Sequence, residues 1–148
     1  MKPDIRRAIL GGFVGTVLLT LMTLFVAPMM TGQKMDMAAK LSEMMGTSPL
    51  IGMAMHFLIG SVVFALIYVL VLFRFLPGAP WIKGLISGVI FWLGLEIVAM
   101  PMMGAGVFNS QAGGMKVAMA ALIAHLVYGA ALGGIAGPPA AIPSQATS

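Results

Sequence analysis

The sequence contains no cysteine. Disulfides, thiolate metal ligands and cysteine nucleophiles are therefore excluded. Charge is almost as scarce: 8% of the 148 residues are Asp, Glu, Lys or Arg, and two residues are histidine. So little charge cannot solvate the surface of an ordinary soluble domain. Catalytic signatures are missing as well. No G-x-x-x-x-G-K-[ST] or H-E-x-x-H motif occurs, Ser61 and Ser87 lack a nucleophile context, and no Asp lies inside an apolar run. These absences argue against an enzyme.

What the chain has is apolar length. It is 60% hydrophobic, with a mean hydropathy of +1.05. Four runs, about 8–31, 49–75, 81–103 and 115–136, can each cross a hydrocarbon core ~30 Å thick, which needs ~20 helical residues. The runs are unbroken rather than alternating, so they predict helices and not barrel strands. The first run follows a basic start but is too long for a signal peptide and lacks a small-x-small site, so it reads as a retained helix. Residues 138–148 read as a disordered tail. The whole chain, 1–148, is thus one membrane domain with the lipid bilayer as its environment.

The net charge of +4 marks topology rather than nucleic-acid binding. Lys2, Arg6, Arg7, Arg74 and Lys83 fall on one side of the four spans, and Lys34, Lys40 and Lys116 on the other. That five-to-three excess predicts that both termini are cytoplasmic.

The chain also repeats itself. Gly11, Gly15, Pro28, Met29 and Met30 align without a gap on Gly84, Gly88, Pro101, Met102 and Met103. His56-Phe-Leu-Ile-Gly60 then corresponds to His125-Leu-Val-Tyr-Gly129, so the two histidines take equivalent positions. The expected fold is all-α: an integral membrane four-helix bundle of two tandem repeated helical hairpins, repeat one 8–75 and repeat two 81–137. Copies of two helices each share one orientation, which is the parallel kind of repeat. The G-x-x-x-G pairs, with Gly129, Gly133 and Gly137, predict close helix contacts. Met37, Leu41, Met44 and Met45 recur at helical spacing in the first loop and predict a short amphipathic helix at the membrane surface. Ser48 and Pro49 read as the cap and first turn of the second span.

Pro28-Met-Met, His56-Phe-Leu-Ile-Gly60, the Leu76-Pro-Gly-Ala-Pro-Trp81 turn, Pro101-Met-Met-Gly104 and His125-Leu-Val-Tyr-Gly129 carry a resemblance. From about Ala8 to Gly137 the chain resembles a family of small uncharacterised bacterial four-helix membrane proteins, a domain of unknown function. The resemblance implies the fold and a bacterial inner (plasma) membrane location. It implies no activity and no functional residues.

The polar groups converge on the outer half of the membrane. At a rise of ~1.5 Å per residue, His56 and His125 lie roughly 10–15 Å below the outer boundary, and Glu96 is in the same half. Of the fifteen methionines, eight fall in Met29–Met55 and five in Met100–Met119. His56 and His125 could be a bis-His pair for haem b, with Gly60 and Gly129 leaving room for a flat ligand. The plainer reading is a pair of buried imidazoles that hydrogen-bond between helices, to Glu96 or a Thr hydroxyl. His56, His125, Met53, Met55, Met102 and Met103 are candidate Cu(I) ligands, because soft thioethers and imidazoles select that ion. The methionines also suit plastic apolar filler or a partner-binding surface. Glu96, the one acid inside a span, is either a protonated, hydrogen-bonded group or part of a proton or ligand path.

Three functional expectations follow. The first is a non-enzymatic accessory or structural subunit of a larger membrane complex, or a homo-oligomer, with other membrane subunits or itself as partner. The second is a haem- or Cu(I)-binding membrane protein for electron transfer or metal handling. The third is a small transporter or channel with Glu96 on its path.

Overall fold

The computed structural model describes residues 3–137, so the tail expected over 138–148 lies outside the described residues. The chain forms α1 (Ile5–Thr31), a short α2 (Met37–Met45), α3 (Pro49–Phe75), α4 (Pro80–Met102) and α5 (Gly114–Ala136). The four long helices are each apolar and long enough to cross a membrane, and no strand occurs among the described residues. The protein is an all-helical, multi-pass membrane protein. The tight turn between α3 and α4 marks one end of the bundle, the hairpin end. The connections 32–48 and 103–113 lie at the other, the loop end.

Local chemistry sets the helix boundaries. α1 starts ahead of the expected Ala8 because Asp4 Oδ1 accepts hydrogen bonds from Arg6 N at 2.8 Å and Arg7 N at 3.1 Å. α4 starts at Pro80, whose missing N–H costs nothing in a first turn. Ser48 does precede α3, but its side chain makes no capping bond, so Pro49 is the operative start signal there. Asp36 caps α2, accepting from Ala39 N at 2.9 Å. α2 buries Ala38 and Leu41, and it docks on α3 where Gly52 lets the two backbones meet.

Pro28 and Pro101 have no N–H for the carbonyls of Leu24 and Ile97. Both carbonyls sit in wide π-helical turns, Met22–Val26 and Leu95–Ala99. The wide turns absorb the missing rung, so neither helix breaks.

α5 is the centre of the bundle. Over their most apolar stretches α5 is 50% buried, against 33% for α1, 28% for α3 and 33% for α4. Gly11 and Gly15 bring α1 onto the backbone of α5 at Leu132 and Tyr128. Gly84 and Gly88 bring α4 onto Gly129, Gly133 and the His125 carbonyl. Lipid tails are as apolar as side chains, so close van der Waals packing has to drive association inside a bilayer. α1 also meets α3, with Gly12 against the backbone of Gly60 and Ser61. α3 and α4 touch through Phe64 and Phe91, which stack with centroids 4.3 Å apart and planes 7° apart. Polar clasps hold the hairpin end: Tyr68 Oη donates to Pro80 O at 3.0 Å, Lys83 Nζ to Phe73 O at 2.7 Å and Arg7 Nε to Ile135 O at 2.8 Å.

These contacts make a sharp contrast between two glycines of α4. A Cβ at Gly84 would collide with the backbone of Gly129 and Gly133, whereas a Cβ at Gly94 would meet nothing within 4 Å. Gly84→Ala is expected to destabilise by roughly 1–3 kcal/mol. Gly94→Ala is expected to stay within about 1 kcal/mol of the parent. Thermal unfolding of both variants in detergent checks the pair, and equal losses would contradict this packing.

Candidate functional site

The helices pack closely at the hairpin end and part at the loop end. The space between them is a cavity of about 480 Å³. Each span contributes one face at helical spacing. α1 gives Thr16, Leu19 and Thr23, and α3 gives His56, Gly60 and Phe64. α4 gives a stripe from Phe91 through Gly94 and Val98 to Met102, and α5 gives Val117, Ala121, His125 and Tyr128. Lys34 and Lys40 stand at the mouth. Ile90 and Val98 line the cavity yet are 39% and 58% exposed, so the space also opens sideways along α4.

The two histidines share this cavity, and hydrogen bonds fix their tautomers. Thr20 Oγ1 donates its only proton to Thr16 O at 2.7 Å. Its contact with His56 Nε2 at 3.0 Å therefore requires the ring N–H to donate. His125 Nδ1 lies 2.8 Å from Ala121 O, and a carbonyl can only accept, so this nitrogen carries the proton. In its neutral form each ring keeps one bare nitrogen, Nδ1 in His56 and Nε2 in His125. The alternative of a hydrogen bond to a Thr hydroxyl holds for His56. His125 bonds its own helix, and neither ring bonds Glu96.

Glu96 is fully buried, at 0% exposure, and its partner is Asn109. Asn109 Nδ2 donates to Oε1 at 3.0 Å and to Oε2 at 2.8 Å. The connection between α4 and α5 is bent inward to make this contact. Phe108 and Asn109 both adopt left-handed backbone, with φ of 50° and 53°. That conformation costs a side-chain-bearing residue roughly 1–2 kcal/mol. Packing of Phe108 on Trp92, centroids 5.6 Å apart, and the bond to Glu96 hold it in place. The sequence offered one signal for Asn109: an Asn in a Gly-rich loop tolerates left-handed backbone. Nothing in its spacing pointed to Glu96.

The flat-ligand space expected beside the histidines is filled by neighbouring helices. A Cβ at Gly60 would run into the Thr16 side chain, and one at Gly129 into Gly84 and Gly88. Both glycines serve helix contacts, and the carbonyl of Gly60 accepts from Tyr128 Oη at 2.6 Å. Gly60 and Gly129 therefore do not supply the room expected for a flat ligand, although His56 and His125 both line the cavity. Among the described residues no three His, Asp or Glu side chains form a group that could hold a metal ion, so His56, His125 and Glu96 share a cavity without forming a ligand set. Met102 and Met103 line the cavity together with Met100, whereas Met53 and Met55 are half-buried elsewhere on α3.

Residues 3–147 match the family described as Family of unknown function (DUF6789). No curated protein and no solved structure matches the chain.

The Glu96–Asn109 contact has a measurable asymmetry. Asn109→Leu strips a buried acid of its donor and is expected to cost about 1–3 kcal/mol. Glu96→Gln keeps an acceptor for Asn109 Nδ2 and is expected to cost less than about 1 kcal/mol. Thermal unfolding of the two variants in detergent separates them, and a larger loss in Glu96→Gln would contradict the assignment.

Proposed function

The chain belongs to DUF6789, a family of unknown function, and from its cavity we propose that it is a non-enzymatic membrane protein that holds a lipophilic small molecule between its helices. The observation that carries this reading is the cavity of about 480 Å³. Sites for small molecules are concave, mostly apolar spaces of about 300–1,000 Å³ with a few placed polar groups. An interior left empty at this size forfeits dispersion contacts along its whole lining. The side opening at Ile90 and Val98 gives a ligand dissolved in the bilayer a way in. Gly94, an exposed residue that also lines the cavity, leaves space at the side opening.

The accessory or homo-oligomeric role takes a definite form here: the subunit keeps or presents a ligand for a membrane assembly. The exposure of Met29, at 87%, and of Met102, at 73%, supports a partner-facing surface at the loop end. Termini on the cytoplasmic side of a bacterial inner membrane would put the cavity mouth outside. The excess of basic residues at the hairpin end supports that orientation. The tandem-hairpin origin belongs to the same proposal, supported by the way both G-x-x-x-G pairs seat on α5.

A second reading, capture of Cu(I), is supported by the bare nitrogens of His56 and His125 on a wall that also carries Met100, Met102 and Met103. Elemental analysis of the purified protein and of a His56→Ala, His125→Ala variant tests it. Copper near one per chain that disappears in the variant is the expected result, and copper unchanged by the variant overturns it.

The main proposal is tested by mass spectrometry of organic extracts from protein purified in mild detergent out of its native membrane. A lipophile near one per chain is expected from the parent. Gly94→Leu adds bulk at a cavity-lining position where a Cβ meets nothing within 4 Å, and it is expected to lose the lipophile while remaining folded. A parent extract matching the detergent-and-lipid blank would overturn the proposal.

A further inference from the structure

The polar groups around the cavity are unequal in what they can offer a ligand. Thr16 Oγ1 donates to Gly12 O at 2.7 Å, Thr23 Oγ1 to Thr20 O at 3.1 Å and Tyr128 Oη to Gly60 O at 2.6 Å. Their protons are committed inside the protein, so toward a ligand these hydroxyl oxygens are left as acceptors weaker than an imidazole nitrogen. The Glu96 oxygens both accept from Asn109 Nδ2, which holds that group toward the connection between α4 and α5. His125 differs. Its Nδ1 proton goes to Ala121 O, and its Nε2 makes no bond. Among the described residues Ser61 Oγ is the buried side-chain nitrogen or oxygen that lacks a partner. Nε2 of His125 is therefore accessible. His125 is 7% exposed on the central helix and lines the cavity, which is the open space beside its ring.

We propose that the cavity selects lipophiles that carry a hydroxyl donor on an aromatic ring, a phenol or quinol, by presenting the bare Nε2 of His125 as an acceptor. The inference rests on the reading of the cavity as a ligand site. A bare imidazole nitrogen accepts an O–H strongly and gives nothing to an ether or a hydrocarbon. In an apolar space, an acceptor left without a donor is disfavoured, so the site discriminates for the donor as well as binding the body of the ligand. The aromatic part of the assignment comes from Phe64 and Phe91, whose stacked rings line the same space, with Tyr128 edge-on to both at 6.2 and 6.3 Å. Ring faces and edges favour a flat aromatic partner over a flexible chain. His56, on the opposite span, adds a second imidazole whose N–H is likewise committed inside the protein.

The test compares 3-pentadecylphenol with its methyl ether, which shares the ring and chain and lacks the donor. Binding to the full chain in detergent is measured by isothermal titration calorimetry. The phenol is expected to bind about threefold to tenfold more tightly, the range one net hydrogen bond supplies. His125→Phe keeps a ring of similar bulk and removes the acceptor, and it is expected to bring the ratio close to one. His56→Phe is expected to reduce the ratio less. Equal affinities of the parent for phenol and ether overturn the inference while leaving the cavity reading in place. Absence of binding by both overturns the two together. If His125→Phe does not fold, the ratio measured on the parent still decides the inference, and a ratio unchanged in a folded His125→Phe overturns it.

Discussion

The structure depends on backbone touching backbone along α5. Gly11 and Gly15 on one side and Gly84 and Gly88 on the other let two helices approach the central one without intervening side chains. Inside a bilayer no water is released when helices meet, so such contacts have to supply the attraction. The glycines that make them all lie toward the hairpin end. Toward the loop end the facing positions carry Leu, Phe, His and Thr, and the helices part. Cavity and tight core are two results of one uneven distribution of side-chain size.

The polar interior is economical for the same reason. A membrane core offers no water to a stray N–H or C=O, so each group needs an internal partner. Threonines on α1 bond back to their own helix, Tyr128 takes up a carbonyl from the wide turn at Ile59–Val63, and Trp92 Nε1 donates to Ala118 O at 2.8 Å. The acid on α4 needed a donor that no neighbouring span provides. The connection between α4 and α5 supplies it by folding two residues into left-handed backbone. Strain in a loop is less costly than an unpaired carboxyl inside the bundle.

Much of this arrangement was readable in the chain. Unbroken apolar runs give the four spans, G-x-x-x-G spacing gives the close contacts, and helical depth places His56, His125 and Glu96 in one half of the bundle. The periodicity of Met37, Leu41 and Met44 gives α2, though its docking on α3 needed Gly52 to be recognised as a contact point. The partner of Glu96 was not readable, because loop conformation and not periodicity brings Asn109 inward. The roles of Gly60 and Gly129 were not readable either: a small residue near a histidine can leave space for a ligand or for another helix, and sequence spacing is the same in both cases. The central place of α5 was hidden because all four spans are similarly apolar. Length and hydropathy identify a membrane helix without ranking its neighbours.

α5 is also the last of the four spans that a ribosome makes. Helices enter a membrane one after another and associate afterwards. Until α5 arrives, the Gly11/Gly15 face of α1 and the Gly84/Gly88 face of α4 have only lipid to pack against. Before that, only the contact of α1 with α3 at Gly12 and of α3 with α4 at Phe64 and Phe91 can form. The contacts that make the mature bundle tight are thus the last that its order of synthesis allows to form.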